Sequence, residues 1–386
     1  MFLLQFIIWN ASPCITRLGS LELRWYGLAW AIGFIAAQRL MVYIFRKEGR
    51  PAQDADTFAM YILIGTFLGA RLGHVFFYEW EYYAKHLAEA LLPVRFAPRL
   101  TFTGYQGLAS HGAACGIVLA IYLYTRCRLH TRWPFVRIVP RPGQSYLWLA
   151  DRLVIAVALV GCLIRVGNFA NSEIVGKPTA QAYGVVFAHQ PLMKVQHSSR
   201  AIESVILQKA CDLAKENQPS QACLHVKFKY GGFEEKTITG FVEHGVGRLL
   251  REDVEMRRHL QASPGQPLRY HLAKDRRGAY TAHINVQPIS RHPAQLYESL
   301  SCAILAVGLF YRWKRKQSAL HNGELFGVFL TFVFGLRFLY ENLKESKMLV
   351  EESYFGSLSV PHLLSVPFFL IGIALWVYSA RKEPSR

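Results

Sequence analysis

No two of the seven cysteines stand in a C-x-x-C pair, so the spacing encodes neither a zinc site nor a disulfide framework. Most lie in or beside apolar runs, where a thiol behaves as a small hydrophobe. Cys211 and Cys223 could bridge in an oxidising compartment, and sequence leaves that pairing open. The N-terminal MFLLQFIIWNASPC has no basic n-region, and Pro13 directly before Cys14 spoils a small-residue cleavage site. It therefore reads as part of the mature chain. Internal repeats and low-complexity stretches are absent. Acidic residues are scarce, with 26 Asp and Glu against 44 Lys and Arg, a net charge of +18. Much of that excess sits in short loops between apolar runs and not on a basic soluble face, which argues against nucleic acid and for anionic lipid.

What the sequence does have is apolar length. Of 386 residues, 52% are hydrophobic and 13% aromatic, with a mean hydropathy of +0.16. That is too apolar for an ordinary soluble enzyme and fits a multispanning membrane protein with polar loops. Windows long enough for a bilayer core run from Leu23 to Phe45, Thr57 to Tyr78, Gly107 to Tyr124, Leu147 to Ile164, Gln295 to Trp313, Leu325 to Tyr340 and Pro361 to Ser379. The fourth and sixth are short and have polar ends. The expected fold is all-α and polytopic, with about seven transmembrane helices.

Lysine and arginine set the orientation. Arg46, Lys47 and Arg50 follow the first span, Arg126 to Arg141 the third, Arg312 to Lys316 the fifth, and Arg381, Lys382 and Arg386 the last. All four groups fall on one side, which places the N-terminus outside and the C-terminus in the cytoplasm. The long segment after span four then lies outside. Within it, CLHVKFKYGGFEEKTITGFVEHGVGRLL alternates apolar and polar residues around a Gly-Gly, as hairpin strands do, and LRYHLAKDRRGAYTAHINV repeats the habit. The chain divides into residues 1–183 with four helices, an inserted extracytoplasmic α+β domain at 184–289 between helices four and five, and residues 290–386 with three helices.

Polar groups gather at the outer ends of the spans. Tyr26 opens span one, His111 lies one turn into span three, and Arg165, Asn168, Asn171 and Glu173 close span four. RHPAQLYE starts span five with Gln295 and Glu298, and Arg337 and Glu341, four apart on one helical face, end span six. Each has a plain alternative. Arginines at helix ends snorkel to headgroups, Tyr26 suits an interfacial belt, His111 could pack among glycines, and Arg337 with Glu341 could be a structural pair. Arg71, mid-span, is harder to dismiss because an unpaired charge there costs several kcal/mol. Taken jointly, these groups describe a polar cavity at the outer leaflet. Arginine presents a planar, permanently charged fork to phosphate, and an imidazole exchanges a proton near neutral pH. The chemistry indicated is on a phospholipid headgroup.

The same residues carry a family resemblance. LRWYGLAWAIGF, LGARLGHVFFYEW, GLASHGAACG, IRVGNFANSEIVGKPT, HPAQLYE and GLRFLYENLKE, in that order, resemble bacterial prolipoprotein diacylglyceryl transferase. The resemblance covers nearly all the spans and not the segment from Gly184 to Ile289. It implies transfer of the sn-1,2-diacylglyceryl group from phosphatidylglycerol to the lipobox cysteine thiol of a prolipoprotein, leaving a thioether and glycerol-1-phosphate. It also implies functional roles for Tyr26, His111, Arg165, Asn168, Glu173, Gly176, Arg337 and Glu341. HGAACG, Ile164 and NSE depart from the commoner HGG, glycine and NGE of the family.

The expected division of labour follows from the chemistry. Arg165 and Arg337 hold the phosphate, with Asn168 and Asn171 on its oxygens or the glycerol hydroxyls. His111 takes the thiol proton, with Tyr26 or Glu341 as alternatives. Arg71, Gln295 and Glu298 are candidates for lining the cavity. Neither a metal nor a soluble cofactor is expected, and the partners are phosphatidylglycerol, prolipoprotein signal peptides and membrane lipid. The rival function is a lipid or solute transporter with the same charged cavity, although matching broken spans or repeated halves are missing.

Overall fold

The computed structural model describes residues 6–19, 21–92, 94–96, 99–102, 107–129, 136–209, 222–231, 233–263, 265–345 and 360–381. The seven apolar windows correspond to helices α1 (Trp25–Lys47), α2 (Ala52–Tyr78), α3 (Ser110–Arg126), α4 (Tyr146–Ala170), α5 (Ala294–Lys316), α6 (Glu324–Glu341) and α7 (Val360–Arg381). Among the described residues, five of them (α1, α2, α4, α5 and α7) are long and apolar enough to cross a membrane. The remaining two are α3, of 17 residues, and α6, of 18. The window at Leu147 to Ile164 extends to a helix of 25 residues, because the polar groups at its C-terminal end continue the helix.

The chain divides into two units. One comprises Met1–Trp30, Leu163–Leu300 and Leu339–Ser359; the other comprises Ala31–Cys162, Ser301–Phe338 and Val360–Arg386.

In the second unit, α2 and α3 meet along glycine. A methyl group on Gly65 would come within 2.6 Å of the Gly116 carbonyl oxygen, and one on Gly73 within 2.7 Å of Gly112 Cα. The four-residue spacing of Gly65, Gly69 and Gly73, answered by Gly112 and Gly116, lets the two backbones touch, as small residues do between membrane helices. Gly327 of α6 and Gly372 of α7 form a second close approach, each 2.6 Å in Cβ terms from a backbone nitrogen of the other helix. The apolar core contains Phe45, Phe58, Tyr124, Leu149 and Trp313. A buried polar hub sits beside it. Glu48 accepts from Arg152 Nε and Nη2, each at 3.0 Å, and from the indoles of Trp148 at 3.0 Å and Trp313 at 2.6 Å. Asp151 accepts from the backbone N–H groups of Gly323 and Phe326 at 2.7 and 2.8 Å, satisfying donors that the start of α6 leaves unpaired.

The first unit holds a five-stranded antiparallel sheet of β1 (Ile202–Gln208), β2 (Ala222–Phe228), β3 (Leu260–Gln261), β4 (Tyr270–Lys274) and β5 (Tyr280–Pro288). The order is β3-β5-β2-β1, with β4 also paired to β5. Alternation assigns one face to the core. Val205, Leu207, Leu224, Val226, Ile284 and Val286 pack with Ile238, Val242, Val246 and Leu250. The β4–β5 hairpin expected from the sequence is present, turning at Asp275, whose side chain accepts from the N–H groups of Arg277 and Ala279. Of the hairpin expected around Gly231-Gly232, Gly232 lies outside the described residues, and among those that follow it no second strand starts at the turn. Beyond it the chain forms a continuous helical run, Glu235–Gly240, Phe241–Val246 and Gly247–Glu252, with a π turn in the middle. Four-residue spacing of Ile238, Val242, Val246 and Leu250 supplies a helical stripe that outweighs the local alternation. Cys211 lies outside the described residues, and Cys223 makes no disulfide among them.

Candidate functional site

The C-terminal end of α4 delivers Arg165 and Asn168 one turn apart, and the chain then leaves the helix through Asn171, Ser172 and Glu173. Backbone bonds from Asn171 N to Gly167 O, Ser172 N to Phe169 O and Glu173 N to Asn168 O close the exit. Ser172 and Ile174 both sit in the left-handed region, at φ of 57° and 56°. For β-branched Ile174 this conformation is costly, and residues held this way concentrate at functional sites. Surrounding segments hold it. Gly176 N donates to His292 O, Lys177 N to Leu343 O and Glu345 N to Val175 O. A methyl group on Gly176 would approach His292 O to 2.5 Å and Leu343 O to 3.0 Å, so glycine is required by the close passage of three chain segments.

At the centre of this loop, the Glu173 carboxylate accepts from Asn168 Nδ2 at 3.3 Å and Asn171 Nδ2 at 3.2 Å. Its backbone oxygen accepts from Gln295 Nε2 at 2.5 Å. Both asparagines and Gln295 are buried. Asn171 Oδ1, Ser172 Oγ and Gln295 Oε1 are also buried and have no hydrogen-bond partner among the described residues. Buried acceptors without donors cost about 1–3 kcal/mol each, so three around one glutamate suit a ligand that brings hydroxyl groups.

Beside them is an ion cluster. Glu298, one turn into α5, pairs with Arg165 Nε at 2.6 Å and with Lys344 Nζ. Arg165 Nη1 reaches Asn168 Oδ1 at 3.5 Å. The guanidinium thus keeps further N–H donors in a half-exposed position. Arg291, fully buried, ties the surrounding segments together by donating to Arg258 O, Gly176 O and Glu345 Oε2. Next to it, burial first, and then the charges of Arg291 and Arg258, push the His259 pKa down to about 4.

Arg165, Asn168, Asn171, Glu173, Gly176, Gln295 and Glu298 are therefore brought together. Tyr26 is half-buried, and its Cα lies 3.1 Å from where a Gly167 Cβ would be. Glu341 ends α6, one turn before Lys344. Lys344 is legible in sequence only as a loop charge; the i,i+3 spacing after Glu341 is the signal that could mark it.

His111, Arg71 and Arg337 belong to the other unit. His111 is exposed at the start of α3 and meets the rings of Phe77 and Tyr78 at 4.9 and 5.8 Å. Arg337 is exposed on α6. Arg71 is buried and engaged. Its Nε donates to Ala90 O at 2.7 Å, its Nη2 to Glu89 O at 2.8 Å and to the Tyr83 hydroxyl at 3.1 Å, and its guanidinium lies over the Tyr83 ring. These bonds make it the anchor of the short helix Leu87–Leu91.

A family model described as prolipoprotein diacylglyceryl transferase matches residues 13–378. A phosphatidylglycerol–prolipoprotein diacylglyceryl transferase of Tolumonas auensis is 32% identical over 380 residues, covering 98% of this chain and 99% of its own. Proteins of the same name from Bacteroides fragilis and Porphyromonas gingivalis are 27% and 28% identical, over 99% and 100% of this chain and 98% of each of theirs. Matches of that length take in residues 184–289 as well as the helices.

Proposed function

The chain belongs to the prolipoprotein diacylglyceryl transferase family, and from that premise we propose how its residues perform the transfer. It is a multi-pass membrane transferase that moves a diacylglyceryl group from phosphatidylglycerol to a prolipoprotein. In our reading the acceptor is the lipobox cysteine, the active site faces the outer leaflet of the cytoplasmic membrane, and the C-terminus is cytoplasmic.

The observation that carries the reading is the Arg165–Glu298–Lys344 cluster set against the partnerless acceptors at Asn171, Ser172 and Gln295. A phosphatidylglycerol headgroup joins an anionic phosphate to a glycerol with two hydroxyls. The remaining Arg165 donors take the phosphate oxygens, and the acceptors around Glu173 take the glycerol hydroxyls. As the headgroup enters, the Asn168 and Asn171 amides turn from Glu173 to the lipid oxygens. Arg337, His111, Tyr26 and Glu341 join this reading through their sequence motifs.

The chemical step is a displacement at the sn-3 carbon. The thiol passes its proton to His111, since the thiolate is the nucleophile. Its sulfur bonds to the carbon as the carbon–oxygen bond to phosphate breaks, and glycerol-1-phosphate departs with the electron pair. The phosphate gains a negative charge in that step. Arg165, Lys344, Glu298 and Glu173 together carry no net charge, so a further cation stabilises the transition state, and Arg337 is our assignment. Fixed donors aimed at a developing charge act most strongly in a water-poor site, and losing one costs about 10²–10³ in rate.

The test is reconstitution of the purified protein with phosphatidylglycerol and a lipobox peptide, with mass spectrometry of the peptide. A diacylglyceryl thioether with wild type, nearly lost in folded Arg165→Ala and Arg337→Ala variants, is expected. Lipid and peptide binding with no adduct from wild type would overturn the reading in favour of lipid handling without chemistry.

A further inference from the structure

Cys223 and His225 stand two apart on β2, so both side chains leave the same face of the sheet. The register pairs His225 with His283 of β5 and Cys223 with Asn285. This is the face turned away from the apolar core, which is built by the intervening Leu224, Val226, Ala282 and Ile284. The Cys223 sulfur and one ring nitrogen each from His225 and His283 all lie within 4.8 Å of one another. The two imidazoles are edge to face at 4.6 Å, Cys223 is 2% exposed, and both histidines are half-buried.

We propose that Cys223, His225 and His283 form a binding site for a borderline divalent transition metal of the zinc class. One thiolate and two imidazoles are a donor set that such ions prefer and that magnesium and calcium do not. Zinc bonds of about 2.3 Å to sulfur and 2.0–2.1 Å to nitrogen put tetrahedral donors roughly 3.3–3.7 Å apart. The donors here close to that separation by small side-chain rotations, because the backbone ladder already sets their spacing. Water takes the fourth position. His271 of β4, across from His283 and ring to ring at 6.3 Å from it, stands outside the group. On binding, the thiol loses one proton to solvent and the two imidazoles bind neutral. The ion joins β2 to β5, the two central strands, and holds the sheet independently of the transfer chemistry at Arg165.

The experiment uses full-length protein with any affinity tag removed, stripped with a chelator and titrated with Co²⁺ and then Zn²⁺. One equivalent of Co²⁺ should give a near-ultraviolet thiolate-to-metal charge-transfer band, with release of about one proton, and Zn²⁺ should bleach it. Cys223→Ser should abolish the band, and His225→Ala and His283→Ala should each weaken Zn²⁺ binding at least about tenfold. If wild-type protein binds Co²⁺ without that band, or if the band survives in Cys223→Ser, the ion is held elsewhere and the assignment fails. The wild-type spectrum decides the matter even if a variant does not fold.

Discussion

Glu298 accepts from Arg165 Nε at 2.6 Å, so the guanidinium is aimed by a carboxylate one turn into α5. The charge and the orientation it supplies can be separated. Glu298→Gln keeps the shape and removes the charge, leaving Arg165 and Lys344 less neutralised. Anionic lipid should bind as well or better, while turnover falls about tenfold to a hundredfold because the fork is no longer held. Steady-state kinetics in mixed micelles should therefore show a lower kcat with an unchanged or lower KM for phosphatidylglycerol. A raised KM at normal kcat would count against the positioning role.

Gly176 has His292 O and Leu343 O where a side chain would begin. Gly176→Ala should cost about 1–3 kcal/mol through displaced backbone and lower activity with it, since the shift reaches Glu173. Thermal unfolding followed by tryptophan fluorescence, alongside the product assay, checks both. Wild-type values in both would mean that the three segments separate more easily than their hydrogen bonds imply.

Glu48 meets Arg152 through both Nε and Nη2, and both side chains are buried. Removing the carboxylate leaves the buried guanidinium poorly neutralised, so Glu48→Ala should destabilise by roughly 3–5 kcal/mol. Combining it with Arg152→Met should recover much of that loss, because neither charge then remains. Denaturant unfolding in detergent distinguishes this from simple loss of packing, for which the double variant would be worse than the single.

His259, folded, binds its proton only near pH 4, whereas unfolded it binds near the ordinary 6.5. Between these values the unfolded chain holds more protons, so stability rises with pH across the window and is lost as pH falls from about 6.5 to about 4. The full difference is at most about 3 kcal/mol. Unfolding midpoints measured across that range should fall steeply for wild type and less so for His259→Phe. Equal slopes would remove His259 as the source.

The helices are legible in the sequence because a bilayer demands long apolar runs, and all seven windows contain one. Their limits are less so: α4 runs on through Arg165 to Ala170 because polar residues at a helix end still satisfy their backbone within the helix. The signature at Arg165 to Gly176 can be read because its members are close in sequence. Glu48 and the Cys223–His225–His283 group cannot, and Lys344 only as a charge three residues after Glu341, since each becomes meaningful only when a distant segment supplies its partner. The absence of C-x-x-C makes a metal site look excluded, but a sheet register brings together donors that no local spacing reveals. The segment after Gly231 misleads because its alternation is local, whereas the stripe of Ile238, Val242, Val246 and Leu250 needs the sheet to pack against.

The backbone-to-backbone seam of Gly65, Gly69 and Gly73 with Gly112 and Gly116 also limits traffic. With carbonyls seated against α-carbons, there is no gap wide enough for a fatty acyl tail to slip between α2 and α3. Along that seam the two helices behave as a single body, closed to lipid.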